Sequence, residues 1–273
     1  MSIRTVLVHA NPESECDARV RFAIHVAGLL GATVTGLGAE VSVGMLPVAD
    51  STFDGAMVGD FRARIAAGLP DSERHFRELT KGRQGLAWVS GEGYPDQVLA
   101  LHARGAELIV AGRPGSGEGG AYAARPAHLI MEAGVPVLLM ADGDREFRGE
   151  RIVVGWKDTR GSRRALSDSL PFLMRAKSVF IVAVCEEANA ASEDAALRDV
   201  ARRLARHGIE AEVEVTSKGD PTVAEALDTA ANRHSADMIV VGAYGHSRFQ
   251  ELMLGGVTED LIASSSKFVL LSH

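Results

Sequence analysis

Cysteine is scarce in this chain of 273 residues, where only Cys16 and Cys185 occur. Two cysteines make no disulfide framework, and a reducing compartment suits them. No CxxC pair or local Cys/His cluster is present, so the spacing points to no metal site. Long apolar runs are also missing, and no stretch approaches the length that crosses a bilayer. Met1-Ser2-Ile3-Arg4 passes straight into an apolar strand without a basic-then-apolar leader, so a cytoplasmic location with no membrane partner is expected. Positive charge is in deficit: 29 Lys and Arg stand against 36 Asp and Glu, a formal net charge of -7. That balance argues against a broad nucleic-acid surface, and Arg202, Arg203, Lys218 and the 160–164 stretch read as solvated charge. Familiar catalytic signatures are absent as well. There is no GxxxxGK[ST] loop and no GxSxG elbow, and Ser247 beside His246 has no visible acid partner.

What is present is an ordinary globular composition, 46% hydrophobic and 24% charged, of a length that fits one large domain or two ordinary ones. An internal duplication decides for two. Ala106-Glu107-Leu108-Ile109-Val110-Ala111-Gly112 matches Ala236-Asp237-Met238-Ile239-Val240-Val241-Gly242, and Gly93-Tyr94-Pro95 recurs as Gly219-Asp220-Pro221. Each half opens with a strand (Thr5–Val8, Ile152–Gly155) and closes with one (Val135–Leu139, Lys267–Leu271). The polar, Gly-bearing stretch 142–149 reads as the linker, giving domains 1–142 and 150–273. Extra residues around Val41–Asp60 in the first half read as a loop or short lid, a plain surface loop ahead of a lid.

Within the second half, apolar strands alternate with amphipathic helices. Ser162 is a suitable N-cap for a helix bearing Leu166, Leu170 and Leu173 on one face. Leu197, Val200 and Leu204 form the stripe of the next helix, which Gly208 stops. Ile209, Ala211, Val213 and Val215 alternate with glutamates, predicting a strand with one wet face near a sheet edge. Pro221 opens another helix. The pattern is α/β, with doubly wound, mostly parallel sheets whose ligand crevice lies at the C-terminal strand ends. Trp88 and Trp156 read as strand-packing residues.

The informative segment runs from Gly242 to Glu259. Gly242 ends a buried strand, Gly245 follows after two residues, Gly255-Gly256 after nine more, and Val257-Thr258-Glu259 begins a helix. Glycine lets backbone N–H groups approach an anion, and a helix N-terminus adds unpaired donors and a favourable dipole. On spacing alone, a phosphate cradle and a plain turn before a helix are equally open.

This segment resembles the hallmark of the universal stress protein family: Gly, two residues, Gly, nine residues, then Gly followed by Ser or Thr. The resemblance runs over nearly the whole chain, once per half. It implies two tandem Rossmann-like five-stranded parallel sheets related as a pseudo-two-fold pair. It also implies an adenine nucleotide, ATP with Mg, bound through the second domain by Gly242, Gly245, His246, Gly255, Gly256, Val257 and Thr258. Two departures stand out. Gly256 replaces the hydroxyl residue, losing one hydrogen bond of about 1 kcal/mol. Lys157 stands where ATP-binding members carry Asp, with Asp158 one place later. Asp158 is a candidate substitute and Lys157 a candidate phosphate contact; a solvated pair is the alternative. The first half departs further, with Arg125-Pro126 in place of the glycine pair and His9-Ala10-Asn11 at the end of its first strand, so no nucleotide is expected there.

These features imply a non-enzymatic stress-response protein that senses an adenine nucleotide. Its closing strands are candidates for pairing within the chain or in a homodimer, and its protein partners stay unnamed. A nucleotide-free scaffold is one alternative. A slow ATPase or self-phosphorylating protein using Thr258 and Asp158 is the other.

Overall fold

The computed structural model describes residues 2–11, 16–41, 68–113, 124–141, 143, 145–243 and 256–273. The chain divides into two compact units, residues 3–133 and residues 134–273. The expected insertion around 41–60 lies, after Val41, outside the described residues.

The first unit contains β1 (Thr5–His9), α1 (Cys16–Leu30), β2 (Thr33–Glu40), a helix α2 over 68–79, β3 (Leu86–Glu92), α3 (Pro95–His102), β4 (Leu108–Ala111) and α4 (Pro126–Glu132). Its strands lie in the order β3-β2-β1-β4, all parallel. β1 and β4 are buried almost throughout, as strands covered on both faces must be. Trp88 on β3 packs where the sequence put it, its ring centroid 5.5 Å from that of Phe76 on α2.

The second unit contains β5 (Val137–Leu139), β6 (Arg151–Gly155), α5 (Arg160–Leu173), β7 (Ser178–Cys185), α6 (Ala190–Ala205), β8 (Ala211–Ser217), α7 (Val223–Arg233), β9 (Met238–Gly242), α8 (Gly256–Ser264) and β10 (Phe268–Ser272). Five parallel strands run in the order β10-β9-β6-β7-β8, and β5 joins β10 antiparallel. The two closing strands thus pair residue for residue, Val137 with Leu271, Leu138 with Leu270 and Leu139 with Val269. The duplication assigns β5 to the first half, but its main-chain partner places it in the second compact unit. Four parallel strands are therefore described in the first unit, against five in the second.

Several local expectations shift by a few residues for physical reasons. α5 begins before Ser162: Thr159 is its cap, its hydroxyl oxygen accepting the Ser162 N–H at 3.2 Å. Pro221 precedes α7 rather than opening it. The helix starts after Thr222, which forms a reciprocal capping box with Glu225. The stripe Leu197, Val200 and Leu204 is the buried face of α6, and β8 lies at the sheet edge with an alternating pattern. The stretch read as a linker is docked: Phe147 is buried, edge-on to Phe268 with centroids 4.9 Å apart.

The repeat also holds at the level of hydrogen bonds. Asp237 accepts the N–H groups of Arg148 and Gly149 at 2.6 and 2.9 Å. Its counterpart Glu107 accepts those of Arg4 and Thr5 at 3.1 and 2.8 Å. In each unit, the carboxylate just ahead of the strand β4 or β9 gathers the backbone entering the first strand, β1 or β6. No described helix is long and apolar enough to cross a membrane.

Candidate functional site

The C-terminal ends of β6, β7 and β9 open into a cleft of about 490 Å³ in the second unit. This is where an open parallel sheet offers its crevice, and the volume is that of a small-molecule site. Three elements build one side of it. Gly155, Trp156 and Lys157 leave β6; Val241 and Gly242 end β9; Gly256, Val257 and Thr258 start α8. The first N–H groups of α8 have no intrahelical acceptor, so they supply donors and positive dipole at the cleft wall. Thr258 is 4% exposed and lines the same wall.

Of the residues expected to hold a nucleotide, Lys157, Gly242, Gly256, Val257 and Thr258 come together in this cleft. Asp158 does not line it. Its carboxylate is exposed and paired with Arg163 at 2.6 Å, and Lys157 alone of the two borders the cavity. Gly245, His246 and Gly255 lie outside the described residues.

Gly242 has a structural task of its own. A Cβ built there would stand 2.3 Å from the Gly161 carbonyl carbon and 2.4 Å from the Ser162 nitrogen. Glycine at the end of β9 is what lets the first turn of α5 settle against the sheet. The cap turn is tied further by Ser162, whose Oγ accepts the Lys157 N–H at 3.4 Å and lies 3.1 Å from Thr159 Oγ1. The backbone under Lys157 is thereby fixed to α5.

The rest of the lining comes from residues that the sequence did not assign to a site, Lys218 among them, a residue read as solvated charge. Cys185 ends β7 and Glu186 follows it, Glu193 belongs to α6, and Lys218 follows β8. Lys218 Nζ lies 3.5 Å from Glu186 Oε1. Trp156, read as a packing residue, is only 8% exposed and also lines the cleft. Its Nε1 and the Oε2 of Glu193 are buried with no hydrogen-bond partner among the described residues. A buried donor and acceptor left unpaired cost about 1–3 kcal/mol each. Burial, with the Glu193 and Glu186 carboxylates nearby, holds the Cys185 thiol above its ordinary pKa. No local motif marks Glu193 or Lys218, because they reach the cleft from separate elements; only the crevice rule pointed to their neighbourhood.

The first unit treats the equivalent positions differently. Asn11, after β1, is bound to β2: its Oδ1 accepts the Ala39 N–H at 2.9 Å and its Nδ2 donates to the Ala39 carbonyl at 2.5 Å. Arg125, where the glycine pair would stand, donates to the carboxylate of Asp96 from both Nε and Nη2.

Residues 148–273 match the profile of the Universal stress protein family. No curated protein matches the chain. A universal stress protein from Archaeoglobus fulgidus superposes with a TM-score of 0.71 at 15% identity, covering 98% of this chain and 95% of its own. A Pseudomonas aeruginosa protein assigned to the same family superposes with a TM-score of 0.63 at 17% identity, covering 99% and 93%. At those identities the likeness is one of fold, over both halves. The family match thus lies on residues 148–273, the part of the chain that carries the cleft.

Proposed function

We propose that the chain is a stress-response protein that holds an adenine nucleotide, ATP with Mg²⁺, in the cleft of its second unit and reports its presence without turning it over. The observation that carries this reading is the cleft wall itself. The start of α8, Thr258 and Lys157 line one cavity with Trp156, whose buried Nε1 has no hydrogen-bond partner among the described residues. Helix N–H groups and an ammonium suit phosphates, and a buried indole donor suits an acceptor on the base or sugar. Mg²⁺ would enter on the phosphates, whose charge it neutralises when bound.

A hydrolytic role needs a carboxylate placed on metal or water. Asp158, the residue that reading relied on, is paired with Arg163 away from the cleft. Asp158 is thus not placed for that role; Glu186 and Glu193 are the carboxylates that line the cleft, and the ADP-release assay decides between binding and turnover.

Native mass spectrometry of the purified protein, with ATP calorimetry and an ADP-release assay, tests the proposal. The expected result is one ATP per chain, no ADP over time, and affinity at least about tenfold weaker in Lys157→Ala, a loss on the scale of a charge-assisted contact. ADP accumulation would favour the hydrolytic reading. Absence of binding would leave a nucleotide-free interaction module.

A further inference from the structure

Three ligating side chains of different chemistry converge in the first unit, two of them adjacent in sequence and the third far from both. Cys16 is the first residue of α1 and only 1% exposed; Asp17 follows it; His75 comes from α2. Their ligand atoms, the Cys16 sulfur, an Asp17 carboxylate oxygen and a His75 ring nitrogen, all lie within 4.8 Å of one another. His75 Nε2 is already 2.7 Å from Asp17 Oδ1, while Asp17 Oδ2 takes a 3.2 Å contact from Arg21.

From this we infer a transition-metal site, with zinc as its natural ion, made by Cys16 Sγ, Asp17 Oδ1 and His75 Nε2. A thiolate, an imidazole and a carboxylate form a mixed S, N, O donor set. Zinc accepts it readily, whereas calcium and magnesium, which want oxygen throughout, do not. Three protein ligands leave a fourth tetrahedral position for a water ligand, at a site where Asp17 and His75 are half-exposed, at 42% and 37%. Nitrogen and oxygen ligands about 2.0 Å from zinc sit about 3.3 Å apart at the tetrahedral angle. The His75–Asp17 contact therefore widens by roughly half an ångström, within reach of two half-exposed side chains. The thiol gives up its proton, and the imidazole keeps its remaining proton on Nδ1. A metal-bound thiolate also sits well in the first turn of a helix of 15 residues, where the dipole favours negative charge.

The consequence is a staple between two helices. α2 already rests on the first unit through Phe76, which is 1% exposed. The metal would clamp the adjacent turn of α2 to the start of α1. The nucleotide cleft belongs to the second unit, so the metal site stands or falls independently of the proposed function.

The test uses the full-length protein and the ions alone. Cobalt(II) titrated into it is expected to give a near-ultraviolet thiolate-to-cobalt band at one equivalent, and zinc to displace it. Cys185→Ser keeps the band and Cys16→Ser loses it. His75→Gln, on a half-exposed helix surface where folding is not at stake, weakens zinc binding at least about tenfold, as loss of even an outer-shell partner does. Zinc also raises the Tm of the natural protein but not that of His75→Gln. No thiolate band, a band that Cys16→Ser retains, or zinc affinity unchanged in His75→Gln would overturn the site and leave an ordinary ion pair between the two helices.

Discussion

Arg125 closes on Asp96 with two of its donors: Nε lies 3.0 Å and Nη2 2.8 Å from a single oxygen, Oδ2, of a carboxylate that is only 1% exposed. His128 Nδ1 lies 2.8 Å from that same oxygen, though off the angle of a hydrogen bond. The pairing ties the start of α4 to the first turn of α3, and it occupies the place in the repeat where the second half carries Gly255-Gly256. A position that spacing alone marked as a lost glycine is thus reused to hold the unit together.

Asp96→Asn should destabilise the protein by about 1.5 kcal/mol, the low end for hydrogen bonds to a charged group, because Arg125 is largely exposed. The urea midpoint measures it. Affinity for ATP should not change, since the cleft belongs to the second unit.

Two glycines of the motif should answer oppositely to substitution. Gly242→Ala forces a Cβ into the backbone of Gly161 and should cost on the order of 3 kcal/mol, at the upper end for overpacking. Gly256 has nothing within 4 Å of an added Cβ. Gly256→Ser restores the hydroxyl that the family pattern places there. It should leave the melting temperature within a degree or two of the natural protein and tighten ATP binding about fivefold, the equivalent of one ordinary hydrogen bond. Differential scanning fluorimetry and calorimetry read the two effects separately.

Cys185 should behave as a nucleotide-sensitive thiol. Its thiol is held above the ordinary cysteine range by burial, Glu193 and Glu186, so alkylation should be slow at neutral pH and accelerate as pH rises past that range. Saturating ATP should slow it further, because the residue lines the cleft. Peptide mapping after iodoacetamide treatment distinguishes Cys185 from Cys16, which is buried.

Acid should find a weak point at Glu214. Burial pushes its carboxyl up, but hydrogen bonds from His234, Thr216 and Arg233 outweigh that and hold it below the ordinary value. A lowered folded-state pKa contributes stability that is full above the unfolded-state value and disappears as pH falls through the folded one. The pH–stability curve of Glu214→Gln should therefore be flatter on the acid side than that of the natural protein, and lower at neutral pH. Thermal melts across an acid series measure this.

The fold was legible where the chemistry is local. The buried stripe of α6, the stop at Gly208 and the alternating edge strand β8 all follow from neighbouring residues. So does the duplication, down to Glu107 and Asp237. The closing strand β5 was less so, because strand pairing is a long-range choice: nothing in Val137–Leu139 says that its partner is β10. The helix starts at Thr159 and Thr222 displaced Ser162 and Pro221 because a cap depends on which hydroxyl meets which N–H. The site divides the same way. The glycine spacing led to Gly242, Gly256 and Thr258, while Glu193 and Lys218 reach the cleft from remote elements. Cys16, Asp17 and His75 carry no ligand spacing at all, since two helices separated by a strand bring them together.

The most direct measurement is a crystal structure of the full-length protein grown with excess ATP and Mg²⁺. The account predicts a nucleotide in the second unit's cleft, phosphates on the N–H groups at the start of α8 with Lys157 beside them, and an acceptor within hydrogen-bond reach of Trp156 Nε1. A cleft without nucleotide, or a nucleotide bound only in the first unit, would contradict it.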